Sequence, residues 1–158
     1  MARTRWLTER EERAWRALQL MQMRLEAALA RQLASDSELS YPDYVVLVAL
    51  TDDPSGRLRP SRLADLLGWE RSRVSHQVTR MASRGLVRRE RCPSDGRGSY
   101  VAVTAKGRRA IAAAAPGHVA AVRHHFVDRL TPEELDTVRA VAEKVLAGLE
   151  RDGARGRA

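Results

Sequence analysis

The sequence predicts a mostly α-helical protein with one small β-hairpin, and three observations support this fold class. Apolar residues recur at helical spacing along most of the 158 residues. Ser and Thr residues suited to helix N-caps precede these apolar runs. A single stretch, residues 86–103, instead shows two short runs of β-strand type separated by a Gly-rich turn.

The first two helices are predicted from their caps. Thr8 and Glu11 match a capping box, and the helix that they begin is expected to end near Ala34. One apolar set on this helix repeats at steps of four and three residues, a seam suited to packing another helix, and consists of Ala14, Leu18, Met21, Leu25 and Ala28. Ser40 caps a second, strongly apolar helix that is expected to be buried. Residues 57–58 are interpreted as a short strand next to the hairpin.

The next segment predicts two helices joined by a tight turn. Pro60 suits the first turn of a helix, because its missing N–H is not needed there, and Gly68 suits the C-terminal cap. In the following helix Val74, Val78 and Met81 lie on one side, which is expected to be buried. The other side is expected to carry polar side chains, which are Arg71, Ser72, Arg73, Ser75, His76, Gln77 and Arg80.

A β-hairpin follows, with strands over residues 86–91 and 99–103 and a turn at residues 95–98. Two helices followed by such a hairpin form a winged helix-turn-helix. The second helix of such a unit fits the major groove of DNA, where long polar side chains reach base edges. Arg97 at the tip of the wing is expected to enter the minor groove or to meet phosphates.

Two more helices complete the chain. Thr104 caps the first, which Pro116 is expected to kink or split. Thr131 and Pro132 begin the second, with acidic residues in its first turn. The expected domains are an N-terminal helix of a dimerisation region (1–38), a winged helix-turn-helix (39–104), C-terminal dimerisation helices (105–150) and a disordered tail (151–158).

The terminal helices carry more apolar surface than one small DNA-binding domain covers. A second copy of the same chain is the simplest partner. A two-fold homodimer places two reading helices about one turn of DNA apart and predicts a pseudo-palindromic site. The alternative is a helical cap within a monomer.

The basic residues cluster in the centre of the chain. Residues 57–109 hold fourteen Lys or Arg and four Asp or Glu, a net charge of +10, whereas the rest of the chain has a net charge of −2. Arg-rich composition, with only two Lys among 28 basic residues, does not explain this clustering. It predicts double-stranded DNA as a partner, with a solvated basic surface or a protein-binding winged helix as the alternatives.

Several classes of protein find no support in the sequence. It contains no Gly-rich phosphate loop, H-E-x-x-H motif, nucleophile elbow or paired-cysteine metal spacing, so neither an enzyme nor a cofactor is expected. No apolar run approaches the roughly 20 residues of a membrane span. With a single cysteine, Cys92, no intramolecular disulfide forms, which is typical of a reducing cytoplasm.

Three motifs together resemble the MarR family of bacterial transcription regulators. They are RSRVSHQVTRMASRGLVRR at residues 71–89, the pair Asp95-x-Arg97, and V-A-V-T at residues 101–104, where Val103 replaces the usual Leu. The resemblance implies a homodimer and a wing arginine that contacts DNA. It also implies repression until a small ligand, often an aromatic or phenolic acid, releases the protein. The alternatives are an activator and a non-specific architectural DNA-binding protein.

Roles at the DNA are assigned from side-chain chemistry. Arg73, His76 and Gln77 are predicted to read base edges, since Arg suits guanine and Gln suits adenine. Ser72 and Ser75, early in the helix, suit phosphates. Arg80 is either a phosphate contact or a solvated side chain, and Arg71 is a further candidate contact. Asp95 is expected to orient Arg97 by a salt bridge, although Asp-Gly is also ordinary turn chemistry.

Three further hypotheses concern small ligands. In the MarR family the effector pocket lies between the dimerisation helices and the DNA-binding domain; the candidates to line one here are Trp15, Met21, Met23, Tyr44 and His118, with a plain core role as the alternative. A metal at His118, His124 and His125 is not favoured, because their spacing is not distinctive. Oxidation of Cys92 is considered, with an inert cysteine as the default.

Overall fold

The computed structural model describes residues 4–91 and 98–155 and confirms a mostly helical protein with a small sheet. In chain order the elements are α1 (Glu9–Asp36), α2 (Tyr41–Asp52), β1 (Arg57–Leu58), α3 (Pro60–Leu67), α4 (Arg71–Ser83), β2 (Val87–Arg91), β3 (Ser99–Val103), α5 (Ala105–His125), a 3-10 turn (Val127–Arg129) and α6 (Pro132–Arg155). Across the described residues, no helix is long and apolar enough to cross a membrane.

The sheet is antiparallel, with strand order β1-β3-β2. Arg57 is paired with Ala102, and Val87 with Val103, so the short strand predicted at residues 57–58 is present. Residues 92–97, which include Cys92 and most of the turn predicted at residues 95–98 with Asp95 and Arg97, lie outside the described residues.

Local chemistry sets most of the helix ends. The predicted capping box at Thr8 is present, with the Thr8 N–H donating to Glu11 Oε2 at 2.7 Å. Ser40 caps α2 in the same way, and Gly68 ends α3 in the left-handed conformation, with φ 61°. α1 ends at Asp36, two residues beyond the expected Ala34. The side chains of the last turn bond within the helix there, since Gln32 Nε2 donates to Asp36 Oδ2 at 2.9 Å.

Two expectations for the C-terminal helices are corrected in part. Pro116 was expected to kink or split α5, and it does not split the helix, which runs without a break from residue 105 to 125. A proline removes only one backbone donor, and the hydrogen bonds on either side of it keep the helix intact. The segment expected to be a disordered tail, residues 151–158, is helical as far as Arg155. Gly153 lowers the helix propensity of this segment but does not end α6.

The chain divides into two compact units, residues 1–120 and 121–158, and the boundary between them lies within α5. In the first unit, α2, α3, α4 and the sheet enclose a core whose fully buried side chains include Leu47, Leu63, Met81 and Val101. Ala114 of α5 belongs to this core. In the second unit α6 has a row of exposed apolar side chains, which are Val138, Val141, Val145, Leu146 and Leu149.

The start of α5 packs closely against the segment that joins α4 to β2. The Thr104 N–H donates to the Leu86 carbonyl at 3.2 Å, and the Gly107 N–H donates to Thr104 Oγ1 at 3.0 Å. A Cβ on Gly107 would lie only 2.1 Å from the Leu86 carbonyl oxygen. Glycine therefore allows α5 to approach the segment that joins α4 to β2.

Candidate nucleic-acid interface

α4 has one buried side and one exposed side. Its buried residues are Val74, Gln77, Val78 and Met81. The opposite side presents Ser72, Ser75 and His76, because each residue of a helix is rotated by about 100° and residues three or four apart share a face. Arg71, Arg73 and Arg80 are also exposed. Six of the seven predicted contact residues on this helix are thus available to a ligand.

Gln77 is the exception, and its predicted role in base reading is corrected here. Its side chain is only 2% exposed and donates through Nε2 to Asp43 Oδ1 at 2.6 Å. It lies three residues after Val74 and four before Met81, which is the spacing of the buried stripe. The sequence analysis assigned Gln77 to the exposed face because of its polarity, although its position matched the buried one.

Asp43 of α2, which the sequence analysis did not identify, is the centre of a buried polar cluster. It is 2% exposed and accepts from three groups: Gln77, the Arg84 Nη1 at 2.6 Å and the Ser40 N–H at 2.9 Å. Burial raises the pKa of Asp43, but hydrogen bonds from Arg84 and Ser40 outweigh burial and hold this pKa below its usual range. The carboxyl group is therefore ionised at neutral pH. A capping-box pattern, Ser40-x-x-Asp43, was the signal in the sequence.

Arg73 lies over an aromatic ring. Its guanidinium carbon is 4.1 Å from the centroid of the Trp69 ring. Trp69 follows α3, is half-buried and packs against the core, so its ring is a fixed platform. A guanidinium stacked on such a ring has fewer conformations available than a free one, which favours a defined position for Arg73 at the edge of α4.

Arg80, one turn further along than His76, is held by a hydrogen bond to the buried Gln77 side chain. Its Nη2 donates to Gln77 Oε1, the other end of the amide that is bound to Asp43. Of the two readings for Arg80, a freely solvated side chain does not fit this contact.

The strands of the wing carry paired charges. Arg88 Nε donates to Glu90 at 2.8 Å, which lowers the pKa of Glu90 together with a weaker bond from Arg57. Arg57 and Arg59 both lie near the Tyr100 ring, 5.0 and 5.5 Å from its centroid. The expected salt bridge between Asp95 and Arg97 lies outside the described residues and stays a prediction.

The candidate effector residues fall into two groups. Tyr44 is buried and its ring lies 4.2 Å from that of His118. Burial raises the pKa of Tyr44 and lowers that of His118, whose Nδ1 is buried without a hydrogen-bond partner. Trp15, Met21 and Met23 are instead exposed on α1, so they do not line an enclosed pocket in a single protomer. Among the described residues no three His, Cys, Asp or Glu side chains form a group that would hold a metal.

Comparison with known proteins gives one consistent result. Residues 37–98 match the model of the MarR family. The chain is 33% identical over 110 residues to the transcriptional regulator HosA of Escherichia coli O111:H-, which covers 69% of this chain and 78% of HosA.

Solved structures agree with this match. Sco3205 of Streptomyces coelicolor, a MarR family transcriptional regulator solved in complex with DNA, is 41% identical, with a TM-score of 0.88 over 93% of this chain and 92% of its own. CouR of Rhodococcus jostii, solved with p-coumaroyl-CoA bound, is 25% identical, with a TM-score of 0.72 over 82% of this chain and 88% of its own. With its winged helix-turn-helix, its exposed reading helix and these relatives, this chain belongs to the MarR family of transcription regulators.

Proposed function

We propose that the chain is a homodimeric repressor that binds a pseudo-palindromic operator and leaves it when a small ligand binds. The observation that carries this proposal is the division of α4: one side is sealed into the core and the other presents polar and cationic side chains. A helix so arranged fits the major groove, and a DNA complex is known for the similar Sco3205. The repressor role rests on the family resemblance.

The contacts are assigned by position on α4. His76 lies at the centre of the exposed side and Arg73 at its edge, so these two are proposed to read base edges. Ser72 and Ser75 lie in the first two turns, where hydroxyls and backbone N–H groups suit phosphates. Arg71 and Arg80 are proposed as phosphate contacts. Arg97, beside Asp95 in the wing, is proposed to enter the minor groove.

A second copy of the chain is proposed to cover the exposed apolar surfaces. On α1, Trp15, Leu18 and Met23 are 52%, 42% and 70% exposed, and on α6, Val141 and Leu149 are 57% and 63% exposed. Large apolar faces of this kind are typical of interfaces. Regulators of the MarR family are dimeric, and two-fold symmetry would place two copies of α4 on two half-sites.

A small aromatic acid is proposed as the effector. CouR was solved with p-coumaroyl-CoA bound, and here the buried Tyr44 ring contacts the His118 ring, whose Nδ1 is buried without a hydrogen-bond partner. In the dimer, Trp15, Met21 and Met23 would complete the walls.

Fluorescence anisotropy tests the proposal directly. DNA from the region upstream of the coding sequence is compared with a scrambled duplex across a salt series. We expect the upstream duplex to bind about a thousandfold more tightly, with two protomers per site. If both duplexes bind equally and with a steep salt dependence, the protein is next used to select DNA from a random pool. Selected DNA that also binds no more tightly than the scrambled duplex would indicate an architectural binder.

Arg73→Ala is expected to weaken operator binding by about 1–3 kcal/mol and to relax the preference at one base pair in each half-site, because a base contact is lost. Binding to the scrambled duplex should change little. Selection of preferred sites by the variant measures both effects. Arg97→Ala is the comparison, since loss of a wing contact should weaken binding with less effect on half-site preference. An equal loss on all DNA for Arg73→Ala would refute base reading.

Trp69→Leu is expected to weaken operator binding by about two- to fivefold, because the cation–π platform under Arg73 is removed. Trp69→Phe keeps a ring and should recover most of the affinity. In an Arg73→Ala background, Trp69→Leu should have no further effect. A loss that persists in that background would mean that Trp69 acts by another route.

A further inference from the structure

Three side chains form a hydrogen-bonded series from the interior of the protein to the exposed edge of α4. Asp43 accepts from Gln77 Nε2, and Gln77 Oε1 accepts from Arg80 Nη2. We propose that Asp43 is a positioning residue for DNA binding: through the fixed amide of Gln77 it holds the Arg80 guanidinium where a phosphate will meet it. This inference rests on the proposed function, because it needs α4 to face DNA.

The chemistry of the three groups determines the orientation of the amide. An ionised carboxylate only accepts hydrogen bonds, and a guanidinium only donates them. The amide of Gln77 must therefore turn its NH₂ to Asp43 and its oxygen to Arg80. Turned the other way, it would set oxygen against oxygen and N–H against N–H at its two ends. The Asp43 charge thus determines which atom faces Arg80.

Burial makes this orientation unique. Asp43 and Gln77 are both 2% exposed, so water is excluded from replacing either partner. Asp43 is itself held on its second oxygen by Arg84 Nη1 at 2.6 Å and by the Ser40 N–H at 2.9 Å. Arg84 also donates to the Glu38 carbonyl. The carboxylate is therefore fixed by groups from the start of α2 and from the C-terminal cap of α4.

The benefit to DNA binding is a guanidinium that is ordered in advance. A free arginine loses much rotamer entropy when it binds a phosphate. Arg80 uses one N–H group for Gln77, and its fork of five N–H donors leaves others for a phosphate oxygen. Part of the side-chain entropy of Arg80 is thus already lost on folding, so less is lost when DNA binds.

The hydrogen-bonded series Asp43–Gln77–Arg80 is called the relay below. A double-mutant cycle on the full-length protein tests it. Gln77→Met keeps the shape and lacks both the donor and the acceptor. We expect Gln77→Met and Arg80→Ala each to weaken operator binding about fivefold to tenfold, and the double variant to bind no more weakly than Arg80→Ala alone. Losses that multiply in the double variant would overturn the relay.

Asp43→Asn examines the first member of the series. Its amide offers Gln77 both an acceptor and a donor, so the orientation of Gln77 is no longer determined. Operator affinity should fall as for Gln77→Met when Arg80 is present and should stay unchanged in an Arg80→Ala background. Val46→Ala, in the same helix but outside the series, is the control for simple destabilisation and should leave DNA affinity unaltered.

The outcomes separate the relay from the proposed function. If Arg80→Ala has no effect while Arg73→Ala weakens operator binding, the relay is overturned and the proposed function stands. If the unaltered protein shows no preference for any selected DNA, the proposed function fails, and the relay fails with it.

Discussion

Gly107→Ala is expected to destabilise the first unit by about 3 kcal/mol, which is the upper range for forcing extra volume into a packed site. The new Cβ would lie 2.1 Å from the Leu86 carbonyl oxygen and 3.0 Å from Val103 Cγ2. Because that carbonyl also accepts the Thr104 N–H, moving it away breaks the junction between α4 and α5. Urea unfolding followed by circular dichroism measures the loss.

Gly148→Ala is the matched control, since Gly148 is also a glycine within a helix. The nearest atom to its added Cβ is the flexible end of Arg151, at 4.0 Å. Alanine is the better helix former, so this variant should gain about 0.5–1 kcal/mol. If both variants gained stability, the close approach of α5 to Leu86 would be refuted.

Asp43→Ala is expected to cost about 2–4 kcal/mol of unfolding free energy, because it removes the Asp43 side of the capping box that begins α2 and leaves the buried amide of Gln77 without an acceptor. The Arg84 side chain is 41% exposed, so water replaces part of what it loses. Since the pKa of Asp43 lies below its usual range, this stabilisation is present at neutral pH and is lost as the pH falls through the lowered pKa. The free energy of unfolding in urea at pH 7 measures it.

Asp36→Ala provides the comparison, because Asp36 is also a helix-terminal carboxylate but is exposed. We expect a change of about 0.5 kcal/mol or less. A cost for Asp43→Ala that is no larger than this would mean that the buried cluster contributes nothing to stability.

The fold was largely predictable because its signals are local. The capping box at Thr8, the Pro60 start and the left-handed Gly68 each depend on residues within a few positions of one another. The period of apolar residues then placed the core side of α4 correctly. Two features were misjudged, the effect of Pro116 on α5 and the end of α6. Both depend on whether a helix continues through a residue that disfavours it, and no local sequence pattern indicates this.

The site was less predictable because part of it depends on contacts that are distant in sequence. Gln77 was taken for a base reader although its spacing matched the buried side of α4, and its hydrogen-bond partner Asp43 lies 34 residues away in the sequence. Trp69 was likewise not identified, since nothing in the spacing shows that its ring lies beneath Arg73. Polarity alone does not separate a side chain that faces DNA from one that faces a buried carboxylate.

The two-sided construction of α4 has a consequence for how the protein can acquire new DNA targets. Ser72, Ser75 and His76 are exposed and contribute nothing to the core, while Gln77 and Met81 secure the helix from its other side. The buried side of α4 thus stabilises the fold, and the residues on its exposed side can be substituted without loss of core packing. If α4 reads DNA as proposed, its sequence preference can therefore diverge, or be redesigned, without repacking the protein.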